Sequence, residues 1–217
     1  FCFRRAEVGN EAPLSPVELE ACRAYVADRP EVREVILTGG DPLVFPPARL
    51  ASLLADFAAI PHVEVLRLHS RVPVVAPDIV GRRLRAALTQ DVPVFLAVHV
   101  NHAAELTPEA RAALAGLRRA GVVLLSQTVL LKGVNDDPAT LAELMRGLTA
   151  CGVKPYYLHH PDLVPGTAHF RVSLGRGRAI VADLAARLSG PPIPPYVLDI
   201  PGGAGKVPIT ADTVRPA

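Results

Sequence analysis

Glu34-Val35-Ile36-Leu37-Thr38-Gly39-Gly40-Asp41 is an apolar, β-branched run that stops at two glycines and an acid. Such a run reads as a strand closed by a turn. Working outward, comparable runs occupy 63–68, 92–100, 122–130 and 154–159. Their starts lie about 30 residues apart, the length of one strand–helix unit. Helix signals fill the gaps. Ser15-Pro16-Val17-Glu18 supplies a cap, a proline at the first helical position and a glutamate three after the cap. Thr107-Pro108-Glu109 opens a second helix, with Ala110, Leu114 and Leu117 on one face, and Asp137-Pro138 opens a third. A fourth is expected from about Arg176 to Leu188.

Apolar strands alternating with helices predict an α/β protein with a mostly parallel sheet. Periodicity leaves an open doubly wound sheet and a partial (βα) barrel both standing. Polar residues are informative here. Gly39-Gly40-Asp41, His69-Ser70-Arg71, His99 with His102, Gln127, and His159-His160 with Asp162 fall at or near the ends of successive strands. Groups so placed converge on one rim, which in barrels is the active face. Past the last helix, Gly190-Pro191-Pro192-Ile193-Pro194-Pro195 is a rigid connector into a short strand, 196–200, and a glycine-rich loop, 201–206. The expected organisation is a partial barrel over 1–190 and an extension over 191–217.

The 217 residues suit one sizeable core. A net charge of +2 gives no electrostatic case for nucleic acid or membrane binding, and no apolar run approaches the ~18–20 residues of a membrane span. Arg82, Arg83 and Arg85 read as a solvated helix face. Three cysteines argue against a disulfide framework. Cys22 and Cys151 read as small buried residues. The opening Phe1-Cys2-Phe3-Arg4-Arg5 is neither a signal peptide nor a plausible natural start. The expectation is a cytoplasmic protein represented by a fragment that lacks its first barrel strand.

Several segments together resemble the lysine 2,3-aminomutase family of radical S-adenosylmethionine (SAM) enzymes. Cys2 in Phe1-Cys2-Phe3-Arg4-Arg5 is similar to the last cysteine of the CxxxCxxC cluster loop. Leu37-Thr38-Gly39-Gly40-Asp41-Pro42-Leu43 resembles the glycine-rich motif. Further matches in order are 66–75, 99–102, 127–137, 155–157, 168–170 and 199–203. The resemblance implies a partial radical SAM barrel with three cofactors: a [4Fe–4S] cluster, SAM and pyridoxal 5′-phosphate (PLP). Cys2 would ligate the cluster, with two cysteines upstream. Gly39, Gly40, Asp41, His99 and Gln127 would lie at SAM.

Lys206 fails as a phosphate-loop lysine, because Ile200 stands where the first glycine belongs and Val207 where a hydroxyl should bind magnesium. The resemblance instead implies a flexible-loop lysine that forms a Schiff base with PLP. It further implies that Asp162 and Asp199 grip the distal ammonium of L-lysine, and that Arg4 pairs with its carboxylate. His159, His160 and His169 are spaced poorly for a metal and read as hydrogen-bonding residues.

The implied activity moves the amino group of L-lysine from C2 to C3, giving β-lysine. A reductant such as flavodoxin or ferredoxin would supply the electron, and a homo-oligomer is possible. The branch that prepares β-lysine for elongation factor P and the free-lysine branch share this chemistry. Rival expectations are a glutamate or other amino-acid 2,3-aminomutase, a non-radical Schiff-base barrel using Lys206, and a non-catalytic binding module. The chain by itself, with one cluster cysteine, is expected to be inactive.

Overall fold

A computed structural model describes residues 14–200 and 205–210. They divide into two compact units, one of residues 14–98 and 109–124, the other of residues 99–108, 125–200 and 205–210.

The first unit opens with α1 (Pro16–Ala27). Its start is the expected capping box: the Glu18 amide donates to Ser15 Oγ at 3.3 Å, and the Ser15 amide donates to Glu18 Oε2 at 2.7 Å. β1 (Glu34–Leu37) follows, then α2 (Pro47–Ala58), β2 (Val65–Ser70), the short α3 (Val72–Val75), α4 (Arg82–Ala87), β3 (Val94–His99) and α5 (Pro108–Arg119). β1 pairs in parallel with β2, and β2 with β3. α2 buries Leu50, Leu54 and Phe57, three residues on one face at helical spacing. Arg82 and Arg83 of α4 are exposed while Leu84 and Ala87 are buried, so these two arginines form a solvated face, whereas Arg85 is half-buried against Gly116 of α5.

The second unit holds β4 (Val123–Val129) from Leu125 onward, then α6 (Pro138–Ala150), β5 (Lys154–His159), α7 (Leu174–Arg187), β6 (Tyr196–Ile200) and β7 (Gly205–Pro208). β4, β5 and β6 are parallel neighbours, and β7 is antiparallel to β6. Asp137 caps α6 by accepting from the Thr140 amide at 2.9 Å. Ser173 caps α7, which therefore begins at Leu174 rather than near Arg176. α7 presses closely on β6: a Cβ at Gly177 would lie 1.9 Å from Tyr196 Oη. That hydroxyl bonds buried His160 Nδ1 at 2.7 Å.

Three expectations need correction. The strands are not apolar throughout. In β2, Leu66, Leu68 and Ser70 are buried, while Arg67 and His69 are only half-buried on the other face. One face packs on helices and the other carries polar groups. Lys206 is not on a free loop but within β7, opposite Asp199 of β6. Cys22 is exposed; Cys151 is buried as expected.

In neither unit does the strand order reverse, so neither contains the switch point of a doubly wound sheet. Among the described residues, no helix is long and apolar enough to cross a membrane.

Candidate active site

In the first unit, the turn after β1 is built around Asp41. Gly39 has φ 117°, a conformation that favours glycine. Asp41 Oδ1 accepts from the Leu43 amide at 3.1 Å. Its Oδ2 accepts from Ser70 Oγ at 2.9 Å and from the Arg71 amide at 2.7 Å. The carboxylate thus ties the end of β1 to the end of β2. Gly40 is exposed, and a Cβ placed there would meet nothing within 4 Å. Packing does not demand glycine at 40, so the open space over this backbone is available to a ligand.

In the second unit, four adjacent strands each contribute one polar side chain to a cluster: Gln127 from β4, His159 from β5, Asp199 from β6 and Lys206 from β7. A β-bulge makes this possible. Ser126 pairs with Pro155, but Gln127 pairs with Tyr157, so Tyr156 is an extra residue. The extra residue flips the side-chain alternation that follows it. Tyr157 and His159 therefore share the face of Gln127, where strict alternation from Pro155 would place them on the opposite face. Pro155 lacks an N–H and suits an interrupted ladder.

Gln127 Nε2 lies 3.0 Å from His159 Nε2. An amide nitrogen only donates, so His159 Nε2 accepts and its proton sits on Nδ1. That Nδ1 faces Asp199 Oδ2 at 3.7 Å. Lys206 Nζ faces the same oxygen at 3.6 Å, and Asp199 and Lys206 are direct cross-strand partners. Both contacts are longer than a hydrogen bond. The Lys206 and Asp199 side chains are 37% and 42% exposed, so their ion pair is screened and open to exchange. The Tyr157 ring lies 5.9 Å from Lys206 Nζ.

Burial pushes the His159 pKa down to about 4. The Lys206 charge adds to the effect, the Asp199 charge opposes it, and His99 lowers it further. His159 is thus a neutral imidazole between an amide and a carboxylate. Gln127 Oε1 is buried without a hydrogen-bond partner among the described residues.

The remaining expected residues are placed as follows. His99 ends β3, half-buried. His102 is a cap: its Nδ1 accepts from the Ala104 amide at 3.1 Å. His169 is exposed, its ring tilted at 45° against Phe170. Asp162 is half-buried in the segment leaving β5. Cys2, Arg4 and the glycines 202 and 203 lie outside the described residues.

Sequence reasoning gave His159 only a general hydrogen-bonding role and passed over Asn101 and Asn135. Both asparagines are buried. Asn135 Nδ2 donates to the Asn101 carbonyl at 2.8 Å and to the Val129 carbonyl at 2.9 Å, and Asn101 Oδ1 accepts from the Val129 amide at 2.9 Å. They fix the chain beyond β4.

Lys206 offers an accessible primary amine beside an aromatic ring, which fits PLP. The orphan acceptor of Gln127 fits a ligand with donors of its own, as SAM has. Among the described residues no three His, Cys, Asp or Glu side chains gather as metal ligands.

Comparison with known proteins follows the same lines. The structure resembles that of Streptococcus suis SuiB bound to S-adenosylmethionine, with a TM-score of 0.61 over 88% of this chain and 45% of that one, at 10% identity. The shared fold is a partial (βα) barrel. No family model matches the chain. It is 40% identical over 209 residues to the L-lysine 2,3-aminomutase of Fusobacterium nucleatum, covering 96% of this chain and 49% of that protein. It is 41% identical over 210 residues to the Escherichia coli L-lysine 2,3-aminomutase, covering 96% and 61%. To the Methanococcus maripaludis protein of the same name it is 38% identical, covering 98% and 49%. Over 96–98% of its length the chain is thus similar to proteins named L-lysine 2,3-aminomutase. It spans about half to three-fifths of their length.

Proposed function

We propose that the full-length protein is a radical SAM, PLP-dependent aminomutase that converts L-lysine to β-lysine. The observation that carries this reading is the cluster on β4–β7, in which an amine and a carboxylate are cross-strand partners beside a neutral histidine. The sequence likeness to proteins named L-lysine 2,3-aminomutase supports the substrate.

When bound, SAM with a [4Fe–4S] cluster would supply the hydrogen-abstracting radical, and PLP the carbonyl that captures the substrate amine. The chain's own residues bind and orient. Lys206 Nζ is the amine that would hold PLP. Asp199, with Asp162, would take the distal ammonium of lysine through charge-assisted hydrogen bonds, and would repel the side chain of glutamate. Gly39, Gly40, His99 and Gln127 would lie along SAM. Asp41 would serve that region by holding the turn rather than by touching the ligand, because both its oxygens are engaged. Cys2 would be a cluster ligand and Arg4 the partner of the substrate carboxylate. A soluble one-electron reductant such as flavodoxin or ferredoxin would be the redox partner.

The test is turnover by the full-length protein, reconstituted anaerobically with iron, sulfide and PLP and supplied with SAM, a reductant and L-lysine. β-Lysine that depends on both SAM and PLP is the expected product. β-Glutamate from a parallel incubation with L-glutamate would keep the chemistry and remove Asp162 and Asp199 as an ammonium clamp. Product without SAM would move Lys206 into non-radical chemistry. No product with all cofactors loaded would leave a binding role.

A further inference from the structure

Asp199 has a problem that its cross-strand partner cannot solve. In the structure its Oδ2 faces Lys206 Nζ at 3.6 Å. Once that nitrogen is drawn into an imine, it no longer offers the carboxylate a free ammonium. A side chain 42% exposed is then free to turn towards water. His159 is the other described side chain facing the same oxygen, at 3.7 Å. The imidazole is fixed by the Gln127 amide at Nε2, which places the N–H at Nδ1, towards Asp199. The other tautomer would point a lone pair at the carboxylate. It also lies beyond the bulge in β5, against the Tyr157 ring, with centroids 5.7 Å apart.

We infer that His159 is a positioning residue that holds the Asp199 carboxylate aimed at the distal ammonium of the substrate, and so sets the preference for an amino acid with a distal amine. This rests on the reading of Asp199 as part of the ammonium clamp. A neutral donor suits the task. An imidazolium would cancel the carboxylate's charge and compete with the ammonium, and burial keeps His159 neutral. His159 acts through Asp199 and touches no reacting atom.

The experiment measures equilibrium binding of L-lysine and L-norleucine to the PLP-loaded full-length protein, read from the absorbance of bound PLP with no reductant present. Norleucine lacks only the distal amine. In His159→Phe, L-lysine binds about tenfold more weakly, the loss expected when a donor to a charged group is removed. L-Norleucine binding stays unchanged. His159→Asn, whose Nδ2 takes the place of Nδ1 and keeps an N–H donor there, restores most of the preference. His159→Leu, which has no donor, gives the same loss and replaces the phenylalanine variant should that one misfold. In an Asp199→Asn background, His159→Phe causes no further loss of preference. Equal weakening of both ligands overturns the inference and leaves His159 a packing residue. An Asp199→Asn protein that still prefers lysine as strongly as the parent removes the clamp itself, and the inference with it.

Discussion

Asp41 and Asp199 are both acids near the C-terminal ends of parallel strands, one in each unit, and they are used in opposite ways. Asp41 accepts three hydrogen bonds of 2.7 to 3.1 Å from Leu43, Ser70 and Arg71. Its acceptor capacity goes into holding two loops. Asp199 has two contacts at 3.6 and 3.7 Å, both longer than a hydrogen bond. A carboxylate saturated by backbone amides is structural, whereas one held loosely beside an amine is available to a ligand. Sequence position alone does not separate them; geometry does.

The largest effect on this comparison comes from removing the amine. Lys206→Ala should lower turnover of the full-length protein by about a thousandfold or more, because it deletes the only group assigned to hold PLP. Borohydride reduction followed by peptide mass spectrometry should find pyridoxyl label at Lys206 in the parent and none in the variant. Label at another lysine would reassign the site and leave Asp199 an ordinary surface acid.

Next is the structural acid. Asp41→Ala leaves the Ser70 hydroxyl and the Arg71 and Leu43 amides without their acceptor. Unsatisfied donors of this kind cost about 1–3 kcal/mol each, less where water reaches them, so a loss of about 3 kcal/mol in urea unfolding is expected. Gly177→Ala belongs to the same range. Its new Cβ would overlap Tyr196 Oη, forcing the ring away from His160. Overpacking of this sort costs about 1–3 kcal/mol, to which the lost hydrogen bond adds.

His159 links the comparison to pH. Its pKa lies at about 4 in the folded protein against an ordinary 6.5. The unfolded chain therefore binds the proton first as pH falls. The stability that comes from keeping His159 neutral is complete above about pH 6.5 and is lost progressively down to about pH 4. The size is about 3 kcal/mol. Urea midpoints measured across this range should fall less steeply in His159→Gln than in the parent. Equal slopes would show that the imidazole is not desolvated and could not hold Asp199 as a neutral donor.

Much of the frame was legible in the sequence. The runs at 34–38, 63–68, 92–100, 122–130, 154–159 and 196–200 each contain an observed strand or most of one, because β-branched clusters between turn signals are local properties. Ser15 and Asp137 announced their helices for the same reason. β7 was not legible. Gly205-Lys206-Val207-Pro208 has poor strand propensity, and its conformation comes from pairing with β6. The alignment of His159 with Gln127 was hidden too, since one extra residue at Tyr156 reverses a face that alternation would assign the other way. Lys206 and Asp199 were named through family resemblance, but their direct cross-strand pairing was a fact of register.

The smallest expected effect is the most discriminating. Asp199→Asn should change the stability of the ligand-free protein by no more than about 0.5 kcal/mol. A half-exposed pair at 3.6 Å in water is worth little, and an asparagine amide can still accept from His159 Nδ1. The same substitution at Asp41 replaces an acceptor with an NH2 that faces donors, and should cost clearly more. If both asparagine variants unfold at the same urea concentration as the parent, the distinction between saturated and available carboxylates fails. If Asp199→Asn is the more destabilising, Asp199 is a structural acid and the clamp must be sought at Asp162. A silent Asp199→Asn beside a damaged Asp41→Asn is the outcome the geometry requires, because only a carboxylate that the fold does not need can be given up to a substrate.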